Sequence, residues 1–136
     1  FGAPEGTVHE YRHWLVLLRP KQVCLGSLVL IAKEAVTAWP MLSAAAFGEL
    51  RTATADIEHA LKRAFDHDKI NYLMLMMVDP DVHFHVIPRY GGPRRFAGLD
   101  FTDPAWPGPP RLDVWTETSE SVNTLLRDEL IRSWPA

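Results

Sequence analysis

Between Asp81 and Tyr90 the chain reads Asp-Val-His-Phe-His-Val-Ile-Pro-Arg-Tyr, with polar side chains at 81, 83 and 85 and apolar ones at 82, 84 and 86. Alternation at period two is the signature of a β-strand, whose successive side chains point to opposite faces. With a rise of about 3.3 Å per residue, His83 and His85 stand on one face roughly 6.6 Å apart at Cα. Val82, Phe84 and Val86 occupy the other face, and β-branched and aromatic residues suit a half-buried strand. The stretch therefore demands a sheet with a core on one side and two imidazoles on the other.

The flanking sequence supplies partners for that strand. Trp14-Leu-Val-Leu-Leu18 is a short apolar run entered from polar residues at Glu10 and stopped by Pro20, and it reads as a strand running from about 10 to 18. Gly26 opens a second run, Ser27 to Ile31, after a loop from Arg19 to Leu25 of a length suited to antiparallel neighbours. Ser43 is placed to cap a helix in which Phe47, Leu50, Thr54, Ile57, Leu61 and Phe65 recur every three or four residues. His59 and His67 read as surface or helix-end residues. The apolar run Ile70 to Val78 precedes Asp79-Pro80, and the proline disfavours helix at Asp79. A strand over 70–78, a tight turn and the histidine strand form the expected hairpin, with Met74, Met76 and Met77 as core filler.

Beyond Tyr90, Gly91-Gly-Pro93 and Pro104-Ala-Trp-Pro-Gly-Pro-Pro110 exclude regular structure locally. The expectation for 91–115 is an ordered surface segment anchored by Phe96, Phe101 and Trp106. A last helix follows, capped by Ser119 or Ser121, with Val122, Leu125, Leu126, Leu130 and Trp134 as its buried stripe. The fold class is α+β, an antiparallel sheet of about five strands with one long helix and a C-terminal helix. No linker or repeat divides the 136 residues, so residues 1–136 are expected to form one domain.

Composition narrows the partners. A net charge of −3 without a run of Lys or Arg gives no bulk attraction for a nucleic-acid polymer or an anionic membrane. The longest apolar runs fall far short of the roughly 20 residues a membrane span requires. No basic stretch followed by an apolar signal core stands at the N-terminus. The single cysteine, Cys24, permits neither an internal disulfide nor a Cys-x-x-Cys zinc site, and the expected location is the cytoplasm.

Two alternate histidines on one strand support three chemistries. They are inert members of the sheet; or, with Asp81, they are a carboxylate and two imidazoles suited to zinc or non-haem iron; or one imidazole attacks phosphorus while the other supports developing charge.

The segment Val82-His-Phe-His-Val-Ile-Pro-Arg89 resembles the signature of the histidine triad (HIT) family, in which His-x-His-x-His leads into two apolar residues, commonly ending Val-Ile-Pro-Arg. The resemblance runs from about Trp14 to Tyr90, with its specific part at 82–89. It implies a homodimeric, HIT-like α+β fold. It also implies a nucleotide hydrolase or nucleotidyl transferase acting at an α-phosphate of dinucleoside polyphosphates or nucleoside phosphoramidates, without cofactor or metal. By this resemblance His83 is the nucleophile that carries a covalent nucleotidyl group, and His85 contacts the phosphoryl oxygens or the leaving group. Asp81 stands in place of the first histidine, a supporting position whose backbone carbonyl orients the nucleophile. Ser27 stands where relatives have a histidine after glycine, and Arg19 near a ribose-contacting position. The glycine-rich phosphate loop before the signature is reduced to Asp79-Pro80, which leaves part of the anion binding to Arg89, Arg94 or Arg95, although Arg94 and Arg95 read somewhat better as solvated loop charges. Two alternatives remain: a nucleotide-binding protein with little catalysis, and a metal-dependent hydrolase using Asp81, His83 and His85.

Overall fold

The computed structural model describes residues 5–136. The N-terminal apolar segment is two strands rather than one: β1 (Thr7–Glu10) turns through Tyr11, whose N–H donates to the Trp14 carbonyl (2.8 Å), into β2 (Trp14–Leu18). β2 pairs antiparallel with β3 (Leu28–Ala32), joining Trp14 to Ala32 and Leu18 to Leu28. Helix α1 (Ala44–Phe65) begins where Ser43 Oγ accepts the Ala46 N–H and ends at Asp66, whose φ of 53° is left-handed. β4 (Lys69–Leu73) and β5 (His83–Arg89) complete a five-stranded antiparallel sheet in the order β1-β2-β3-β5-β4.

The sheet's two faces are set by the alternation. Trp14, Val16, Leu18, Leu28, Leu30, Val82 and Val86 enter the main core with Ala46, Ala53, Ile57 and Leu61 of α1. The Trp14 indole N–H donates to the Ala46 carbonyl (2.8 Å), and Phe84 meets the edge of Trp39 at 5.3 Å. α1 therefore covers the face opposite the histidines, as the period-two pattern requires. Gly26 lets the β2–β3 connection pass close beneath this helix. Its φ is +86°, and a Cβ there would stand 2.8 Å from the Phe65 ring.

Four expectations are corrected. β4 stops at Leu73, opposite His85, so residues 74–82 form a loop rather than strand and tight turn. Met74 and Met76 do pack against the core, whereas Met77 is 83% exposed. His67 does follow the helix end, but it is 8% exposed and its Nδ1 is buried without a hydrogen-bond partner. In α2 (Glu120–Ser133), capped by Ser119, Leu126 and Leu130 are buried while Leu125 is exposed.

The segment after β5 carries more order than its glycines and prolines suggest. β6 (Arg94–Phe96) and β7 (Leu99–Phe101) form a hairpin closed by Ala97 and Gly98, both at positive φ, the geometry that two-residue hairpin turns favour. Phe101 is buried, and Phe96 packs edge-on against Phe65 at 5.6 Å. No described helix is long and apolar enough to cross a membrane.

Candidate functional site

On the face of β5 away from α1, His83 and His85 lie with ring centroids 5.2 Å apart and planes nearly perpendicular. The ladder sets Ile31 beside His83, and Val29 and Leu73 beside His85. His83 is 3% exposed, and its Nδ1 lies 2.7 Å from the Asp81 carbonyl oxygen. A carbonyl only accepts, so Nδ1 carries the proton and donates. In the neutral ring the lone pair then belongs to Nε2.

His85 is held differently. Its Nδ1 is buried without a hydrogen-bond partner. Burial, then the Arg19 guanidinium, then His83 push its pKa down to about 4. It is therefore a neutral imidazole at neutral pH, and the fixed positive charge beside it belongs to Arg19.

Arg19 reaches this site from the β2–β3 connection. Its N–H donates to the Ser27 carbonyl (2.9 Å) and its Nη1 to the Lys21 carbonyl (2.7 Å). The fully buried Gln22 ties the loop together. Its Nε2 donates to the carbonyls of Arg19 (2.6 Å) and Ser27 (3.0 Å), and its Oε1 accepts from the Gly26 N–H (2.9 Å). Gln22 carried no signal in the sequence, because nothing in Pro20-Lys-Gln-Val-Cys24 marks one polar side chain as buried.

A cleft of about 360 Å³ opens over the imidazoles, lined by Arg19, Leu75, Met77, Val78, Asp79, His83 and His85. Asp79, a turn residue by its sequence pattern, lines the cleft, and its Oδ1 accepts the Asp81 N–H at 2.9 Å. Asp81 itself contributes its backbone, and its side chain is exposed outside the lining. Asp81, His83 and His85 do not assemble as a ligand set: among the described residues no three His, Cys, Asp or Glu side chains converge to hold a metal ion.

The other residues singled out lie elsewhere. Ser27 is buried, its hydroxyl donating to the Cys24 carbonyl (2.7 Å) and accepting the Cys24 N–H (3.1 Å), which closes the turn before β3. Arg89 forks onto Asp103 through Nε (2.6 Å) and Nη2 (3.0 Å) and also donates to Asn71 and the Gly108 carbonyl. It lines a separate cleft with Lys69, Asn71 and Trp106. Arg94 sits over the Tyr90 ring and donates to the Asp66 carbonyl, while Arg95 pairs with Asp100 on the exposed hairpin. Cys24 is a core residue whose thiol is pushed up to about 12, chiefly by burial.

No protein-family model and no curated protein matches the sequence. Solved structures do match it in three dimensions. A histidine triad protein from Sinorhizobium meliloti superposes with a TM-score of 0.76 at 21% identity, over 93% of this chain and 87% of that one. One from Marinobacter aquaeolei gives 0.74 at 22% identity, over 95% and 90%. A hypothetical histidine triad nucleotide-binding protein from Sulfolobus tokodaii gives 0.70 at 21%, over 94% and 82%. Likeness of this degree over nearly the whole length, in a chain whose sheet carries His83 and His85 opposite its long helix, shows that the protein has the histidine triad (HIT) fold.

Proposed function

We propose that the protein is a nucleotide hydrolase or nucleotidyl transferase that works at an α-phosphate through a covalent intermediate on His83. The observation that carries this reading is the bond from His83 Nδ1–H to the Asp81 carbonyl, which assigns the lone pair of the neutral ring to Nε2. A backbone acceptor keeps this arrangement whatever side chain stands at position 81. Asp81 therefore replaces a histidine without removing the group that orients the nucleophile.

In this scheme Nε2 of His83 attacks the α-phosphorus and the bond to the leaving group breaks with its electron pair. Water then attacks the same phosphorus and releases the nucleoside monophosphate. Arg19 supplies the positive charge for the phosphoryl oxygens. Neutral His85 hydrogen-bonds to them or to the leaving group. Ser27 acts through the loop that presents Arg19, and Arg89 through the framework around β5. The fold's relatives include a protein described as nucleotide-binding, which supports the same ligand class.

The reading of a nucleotide-binding protein with little catalysis draws on one feature, the lowered pKa of His85, which leaves no imidazolium there at neutral pH. Replacement of the nucleophile separates the two. His83→Ala is expected to lower hydrolysis of an adenosine 5′-phosphoramidate by a factor of at least ~10³, the scale of losing an activated nucleophile, while nucleotide binding by calorimetry persists. Residual turnover within tenfold of the unaltered protein rules out His83 as nucleophile.

A further inference from the structure

We propose that the cleft beside Arg89 is a second binding site, separate from the one over the histidines, for an aromatic carboxylate whose carboxylate meets Lys69 and Asn71 and whose ring lies on Trp106. Nothing in this site draws on chemistry at His83.

The cleft has a volume of about 450 Å³ and is lined by Lys69, Asn71, Arg89 and the turn Trp106-Pro-Gly-Pro109. Small-molecule sites span roughly 300–1,000 Å³. It lies on the same sheet face as the imidazoles but toward the opposite end of β5, where Arg89 follows His85 by four residues, about 13 Å along a strand. The two clefts share no lining residue. Lys69 and Asn71 stand on this face of β4, opposite Arg89 and Ile87, with Cα atoms about 6.6 Å apart. Because both project from the face, the backbone edge of β4 stays free for strand pairing.

The walls are fixed by the protein's own bonds. Arg89, 4% exposed, donates to Asp103, to Asn71 Oδ1 and to the Gly108 carbonyl, so one buried guanidinium ties the turn to β4. Within the turn the Trp106 N–H donates to the Asp103 carbonyl (3.2 Å) and the Gly108 N–H to the Ala105 carbonyl (2.7 Å). The Trp106 ring is seated against the backbone at Gly91, where a Cβ would stand 3.3 Å from it. Asp68 in turn pins Gly91 by accepting its N–H (2.7 Å).

The polar groups left for a ligand are donors. Asn71 gives its Oδ1 to Arg89, which orients the amide so that Nδ2 keeps its hydrogens to offer. Lys69 has no ion pair or side-chain hydrogen bond among the described residues, and the lining holds no carboxylate. Asp103 neutralises Arg89, and on the adjoining segments Arg94 and Arg111 are paired with Asp68 and Asp113. One uncompensated cation calls for one negative charge, and two donors on one face match the two oxygens of a carboxylate. A flat ring suits an indole flanked by Pro107 and Pro109, since aromatic rings stack offset on one another.

The test titrates isotopically labelled protein with phenylacetate, its neutral counterpart phenylacetamide and the dianion phenyl phosphate, followed by two-dimensional NMR. We expect phenylacetate to bind with a Kd of about 1 mM or tighter, as suits so small a ligand, and to shift the Trp106 indole and Asn71 amide signals. Phenylacetamide should bind at least about tenfold more weakly, the scale of one charged hydrogen bond. Lys69→Gln, a substitution at an exposed residue that leaves the core intact, should weaken phenylacetate by a similar factor, about tenfold. Trp106→Leu should weaken it by about threefold or more, and His85→Asn should leave it unchanged. No binding of phenylacetate, equal affinity for phenylacetamide, or equal or tighter binding of phenyl phosphate overturns the site. So do signals that shift only around Arg19 and His85, or an affinity lost in His85→Asn and kept in Lys69→Gln.

Discussion

Gln22 and His85 show how single side chains set this site. Gln22 satisfies three backbone groups of the loop that carries Arg19, and burial, seconded by Arg19, keeps His85 neutral. The consequence for stability has a definite sign. The pKa of His85 is depressed in the folded state, so the unfolded chain takes up a proton near pH 6.5 that the folded chain resists until about pH 4. Its contribution is fully present above about pH 6.5 and is lost as pH falls through about 4. His67, also lowered by burial, acts in the same direction. Urea denaturation between pH 7 and pH 4 should show stability falling with pH, and His85→Asn should flatten that slope. An unchanged slope in the variant means that His85 is not held neutral. None of this was legible in the sequence, which showed where the imidazoles stand along a strand but not what surrounds them.

The elements that alternate cleanly were legible, and those whose apolar residues run together were not. In β5 and the residue before it the period of two assigns Val82 and Val86 to the core and the histidines to the opposite face, and α1 keeps the predicted cap at Ser43 and the buried Ile57 and Leu61. The run Ile70 to Val78 signals hydrophobicity without a period, and apolar composition alone does not separate a buried strand from an exposed loop. The same limit hid the role of segment 102–118, which holds the sheet through the Asp103 carboxylate and the Gly108 carbonyl on Arg89 and through the Thr116 N–H on the Gln22 carbonyl. The Asp103 side chain is 1% exposed and accepts both arms of the Arg89 fork. Asp103→Ala leaves that guanidinium buried and unpaired and should destabilise the protein by about 3–5 kcal/mol in equilibrium denaturation. A loss below about 1 kcal/mol, the scale of an exposed pair, contradicts the geometry.

For the molecule as a whole, the sheet ends in two edge strands, and β4 exposes one hydrogen-bonding edge beside β5. The family resemblance implies a homodimer, and we propose this edge as the place where a second copy pairs. Sedimentation should return twice the 15.4 kDa chain mass, and a monomer at micromolar concentration contradicts it. The eight residues from Val82 to Arg89 pointed to the histidine triad fold from sequence, and the superposition over most of the chain agrees. The cleft itself was not legible, because it is assembled from a loop at 19–27, a loop at 74–82 and one strand, and only the strand carries a pattern. The most direct test of the account is to trap the intermediate. The protein is mixed with an adenosine 5′-phosphoramidate, quenched under alkaline denaturing conditions that preserve an N–P bond, and mapped by mass spectrometry. Our account predicts an adenylyl group on His83, absent from His83→Ala. An adduct on another residue, or turnover of substrate with no adduct on His83 under conditions that preserve a phosphohistidine standard, contradicts it.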